Sequence, residues 1–71
     1  MTGAVLTTRQ QEVAVLIAQG LTNRKIAERL VVSERAVAAH VANILNRLGV
    51  SSRTQIAVST SERGLLAKPA D

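Results

Sequence analysis

Apolar residues recur at helical intervals in four segments of this chain, each bounded by residues that can cap a helix. In LTTRQQEVAVLIAQG, Thr7 and Gln10 have the S/T-x-x-E/Q spacing of a capping box, Val13, Leu16 and Ile17 share a face, and Gly20 suits a left-handed stop. The spacing predicts a helix over about residues 8–19. Thr22 caps a short second helix, NRKIAERL, with Ile26, Ala27 and Leu30 inward and Asn23, Arg24, Lys25 and Arg29 toward solvent. After Val31 to Ser33, with Ser33 as cap, a third helix runs to about Leu48 and stops at Gly49. Ser52 and Gln55 form a second capping-box pair and open a fourth helix that fades near Gly64. On it Ile56, Ala57 and Thr60 face the core, while Val58, Ser61 and Leu65 make a second narrow stripe at i, i+3 and i+7. The expected fold is all-α, a four-helix bundle filling residues 6–65, with flexible ends at 1–5 and 66–71.

A short helix, a turn of three residues and a longer capped helix is the arrangement of a helix-turn-helix, here over about residues 22–41. Ala27, one turn before the end of the first of the two, is small enough to let them cross closely. At about 100° per residue, Val37, Val41, Ile44 and Leu48 fall within roughly a 60° arc, widened by Leu45. The opposite side of that helix carries Arg35, Ala39, Ala42, Asn43 and Asn46, flanked by Ala38 and His40. Outward alanines are unusual on a helix that only packs. Such a position more often holds Glu, Lys or Gln.

Composition narrows the chemistry. The 71 residues carry nine Lys and Arg against five Asp and Glu, a net charge of +4, with no cysteine, no aromatic residue and one histidine. Disulfides, thiolate nucleophiles and cysteine-ligated zinc are excluded, and with His40 alone no metal site is expected. Without Phe, Tyr or Trp there is nothing on which unpaired bases stack, so the basic balance points to duplex phosphates rather than to single strands. No glycine-rich phosphate loop or paired nucleophile and base is visible, so no catalytic residue and no cofactor are expected. No segment reaches the roughly 18 to 20 apolar residues of a membrane span. The expected location is cytoplasmic, with no membrane partner.

These segments, taken in order, resemble the LuxR-type helix-turn-helix domain of bacterial transcription regulators. LTTRQQEVAVLIAQGLTNRKIAERL is similar to that family's opening, SERAVAAHVANIL to its recognition helix and NRLGVSSRTQIA to its junction into the last helix, so the likeness covers about Leu6 to Ala57. The resemblance implies that the second helix crosses the DNA backbone, the third enters the major groove and the fourth mediates dimerisation. By position it implies Asn23, Arg24 and Lys25 near phosphates, Ser33 and Ala36 at the mouth of the groove, and Ala38, Ala39 and Ala42 toward base edges. Positions 38 and 42 are often Lys or another polar residue in that family, 36 is usually Thr and 10 usually Glu. Glu12 and Arg53 match charged positions common in the family and are expected to pair between the first and last helices, the alternative being two solvated charges that contribute little.

The residues themselves add to this set. Thr22 and Asn23 offer a helix N-terminus to an anion, and Arg35 and Asn43 have the donor patterns that match guanine and adenine edges. Arg47, farther along the same helix, completes the expected DNA-binding residues. Val58, Ser61 and Leu65 are the expected dimer seam, and RNA polymerase is a further expected partner. Arg29 has the alternative of pairing with a nearby acid, and His40 is read as structural. The competing function is a helix-turn-helix interaction module with weak or no DNA affinity, docking a partner helix on its alanine face.

Overall fold

The computed structural model describes residues 6–62. Four helices follow one another, α1 Thr8–Ala18, α2 Asn23–Leu30, α3 Glu34–Leu48 and α4 Arg53–Glu62. Expectations for residues 1–5 and 66–71, and for Leu65, lie outside the described residues. Val13, Ala14, Leu16 and Ile17 of α1, Ile26 and Ala27 of α2, Val37 and Ile44 of α3 and Ile56 of α4 form one core with Leu6. Leu45, Leu48, Val41 and Ala57 pack against its rim. Helix α1 lies against α4 and α3, and α2 packs on α3.

Helix starts follow the capping chemistry of the sequence. Thr7 accepts from the Gln10 amide at 3.1 Å while the Gln10 side chain accepts from the Thr7 amide at 3.0 Å. The side-chain oxygen of Gln10, a residue buried at 8% exposure, is thereby satisfied. Ser52 and Gln55 repeat the arrangement at the start of α4, where Gln55 Oε1 also accepts from the Ser51 amide at 2.8 Å. The one buried hydroxyl of α4, Thr60, donates to the Ile56 carbonyl at 2.8 Å.

The first three helices end in the same way. The amides of Leu21, Val32 and Val50 reach back five residues to the carbonyls of Leu16, Ala27 and Leu45 at 3.1, 3.0 and 3.1 Å. Each closure needs the preceding residue in the left-handed region, and each sets an apolar residue back on the core. Gly20 at φ 91° and Gly49 at φ 67° do this without strain. At the end of α2 the same place is held by Val31, at φ 59°. A β-branched residue is disfavoured there by its Cβ, and with 88% of its surface exposed Val31 gains little from packing. Replacing Val31 with Gly should therefore raise stability by about 1 kcal/mol, relief of the strain outweighing the extra freedom of the unfolded chain. Urea unfolding measures it, and an unchanged midpoint would mean that the turn carries no such strain.

Candidate nucleic-acid interface

Helix α3 presents two faces to different surroundings. Val37 and Ile44 are wholly buried, with Val41, Leu45 and Leu48 half-buried beside them. Arg35, Ala38, Ala39, Ala42, Asn43, Asn46 and Arg47 are exposed, and His40 is half-buried on the flank. With Glu34 in the first turn, eight side chains of one helix are thus free of the interior, three of them methyl groups. Arg35 and Arg47 take part in no ion pair among the described residues, so their guanidinium donors are available to an outside acceptor.

Ser33 sets where this helix begins. Its Oγ accepts from the Ala36 amide at 3.0 Å, which occupies one of the first-turn donors. Ala36 itself is half-buried, turned further inward than Ala38 and Ala39. Glu34, exposed in the first turn, suits the positive end of the helix dipole.

Helix α2 brings its cations to its opening turn. Thr22 Oγ1 accepts from the Lys25 amide at 3.2 Å, leaving the first-turn amides of Asn23 and Arg24 without a partner inside the helix. Arg24 and Lys25 are exposed and share Glu28, at 3.6 and 3.9 Å. Two cations over one anion leave this ridge net positive. Pairs this exposed contribute about 0 to 1 kcal/mol, so both side chains can be drawn toward a stronger anion at little cost.

The expected pairing of Glu12 with Arg53 does not form. Glu12 meets Arg9 at 3.3 Å, one turn back on the same helix, and lines the groove between α1 and α2 with Arg29 and Leu30. Arg53 sits at the other end of α1, where it lines a hollow with Ile17, Gly20 and Leu21. Its guanidinium donates to Asn23 Oδ1 and, at 2.8 Å, to the Leu21 carbonyl. The local pair wins for Glu12 because an i, i+3 neighbour is within reach without any tertiary adjustment. Arg29 makes no ion pair among the described residues, and its chain neighbour Glu28, which does not face it on the helix, meets Arg24 and Lys25 instead.

A clue to the role of Arg53 lies in the sequence. A cation in the first turn of a helix opposes the helix dipole, so Arg53 at the head of α4 is out of place unless other acceptors hold it. On α4, Val58 is half-exposed and Ser61 exposed, on a side separate from buried Ile56 and Thr60. Val31 and Val58 are the large apolar residues exposed among the described residues.

The sequence profile described as "Bacterial regulatory proteins, luxR family" matches residues 4–60. The transcriptional regulatory protein LiaR of Bacillus subtilis is 49% identical over 53 residues, 75% of this chain and 25% of that protein. The transcriptional regulatory protein DegU of Brevibacillus brevis is 43% identical over 60 residues, 84% of this chain and 25% of its own length. The DNA-binding transcriptional activator DevR/DosR of Mycobacterium tuberculosis is 36% identical over 66 residues, 93% of this chain and 30% of its own. The chain therefore spans about a quarter of the length of these relatives. A solved structure of the transcription factor GerE superposes with a TM-score of 0.78 at 32% identity, covering 87% of this chain and 92% of that one. With the profile spanning most of its length and a structural counterpart in GerE over most of both chains, this chain belongs to the LuxR family of bacterial regulatory proteins.

Proposed function

We propose that this chain binds double-stranded DNA for a transcription regulator, with α3 in the major groove and the opening turn of α2 on the phosphate backbone. The observation that carries the reading is the outward face of α3. Arg35, Ala38, Ala39, Ala42, Asn43 and Arg47 are all exposed, on a helix whose other side is locked into the core. In this docking Arg24 and Lys25 neutralise phosphates beside Thr22 and Asn23, and Ser33 and Ala36 lie at the mouth of the groove. Arg35 and Asn43 meet base edges. The alanines let helix and groove approach closely and can touch thymine methyl groups. A relative is named as a DNA-binding transcriptional activator, which agrees with this use of the fold.

The test is a mobility-shift titration against random duplex at low salt, repeated at higher salt. A shift whose log affinity falls linearly with log salt is expected. A folded chain that shifts no duplex at low salt would instead favour the interaction module.

The chain acts as a dimer in this reading, through α4, on paired half-sites. The half-exposed Val58 beside exposed Ser61 supports the seam. Val58→Glu should move the species seen in sedimentation toward monomer, and the same distribution in both proteins would remove α4 as the contact. Contact with RNA polymerase belongs to the same role and is reached once the domain is seated on its site.

A further inference from the structure

Two side-chain hydrogen bonds among the described residues join parts of the chain far apart in sequence, and one guanidinium makes both. Arg53 donates through Nη1 to Asn23 Oδ1, thirty residues away, and through Nη2 to the Leu21 carbonyl. Arginine carries five N–H donors and no acceptor. An amide facing it must therefore offer its oxygen, since the flipped amide would set donor against donor. The Asn23 amide is thus held in one orientation, with its NH2 group on the side away from the guanidinium. That NH2 group has no partner among the described residues. Asn23 is the first residue of α2, between the cap Thr22 and the cations Arg24 and Lys25.

We propose that Arg53 is a positioning residue for backbone binding: it fixes the Asn23 amide so that the NH2 group is presented to a DNA phosphate at the start of α2. The proposal rests on the phosphate docking of α2 given above. It assigns Arg53 a task on the DNA side although the residue lies on α4, and it makes Asn23 an uncharged, directional contact next to two mobile charged ones. A neutral donor releases no counterion, so its loss lowers affinity without changing the salt dependence. Arg53, acting only through Asn23 and Leu21, behaves in the same way despite its charge.

The experiment is a duplex titration across salt with four variants, each checked for helical content. Asn23→Ala is expected to bind roughly tenfold more weakly, as for a lost hydrogen bond to a charged group, with the salt slope of the parent. Asn23→Asp keeps an oxygen for Arg53, so its melting temperature holds while its affinity falls at least as far. Arg53→Met binds roughly fivefold more weakly at an unchanged slope, and adding it to Asn23→Ala brings no further loss, because one contact is removed only once. Should Arg53→Met unfold, the side-chain amide resonances of Asn23 in the parent chain carry the test, and they are expected to shift when duplex is added.

Undiminished binding by Asn23→Asp, additive losses in the double variant, or Asn23 amide resonances that ignore duplex would each overturn the proposal. Failure of the underlying docking looks different. In that case removing Arg24 and Lys25 leaves the salt slope as it was, whereas a positioning role alone fails when those two cations set the slope and the Asn23 and Arg53 variants bind like the parent.

Discussion

Replacing Arg24 and Lys25 together with alanine weakens binding to every duplex by about ten- to a hundredfold and flattens the plot of log affinity against log salt by about 1.8, two contacts at roughly 0.9 each. The loss is large because of what remains. Both cations sit over Glu28, so the ridge changes from two positive charges and one negative to a single unpaired negative charge facing the phosphates. Folding is expected to be unchanged, since all three side chains are more than half exposed. The effect is uniform across sequences, as phosphate contacts carry no base information. A salt slope equal to that of the parent would remove these two residues from the interface.

Ile44→Ala should act by another route. Ile44 has no exposed surface and lies in the second half of α3, on the seam that fixes the outward face. Truncating it costs about 2–5 kcal/mol, a large part of the stability available to a domain of this size. The variant is expected to be largely unfolded at 37 °C and to show a strongly lowered urea midpoint. Its apparent DNA affinity falls with the folded fraction, yet the salt slope of the protein that still binds matches the parent, in contrast to the Arg24 and Lys25 variant. An unfolding free energy within about 1 kcal/mol of the parent would mean that the core closes over the missing atoms.

Much of this architecture was legible in the sequence because the signals that start and stop its helices are local. Thr7 with Gln10, Ser33, and Ser52 with Gln55 act over three residues, and their caps form as the spacing predicts. The outward face of α3 was equally legible, since 3.6-residue periodicity is a property of one element alone. What depends on how elements meet was hidden. Arg53 finds Asn23 and Leu21 only after the head of α4 is set against the corner between α1 and α2. The family likeness pointed it to Glu12 instead, and Glu12 turned to the neighbour already beside it. Val31 is a further case. Propensity places no valine in the left-handed region, but the bond from Val32 to Ala27 closes α2 and imposes that conformation.

In the docking proposed above, the exposed methyl groups of Ala38, Ala39 and Ala42 would also govern how errors are treated. Stringent readers reject an incorrect base pair because it strands a buried donor or acceptor, and the penalty for that vacancy exceeds the value of the correct bond. Alanine has nothing to strand. With these three positions at the base edges, a mismatched operator would lose a little contact and strand no polar group, and the expected result is a broad set of tolerated sites. Ranking among them would then fall to how readily each duplex bends to meet the helix.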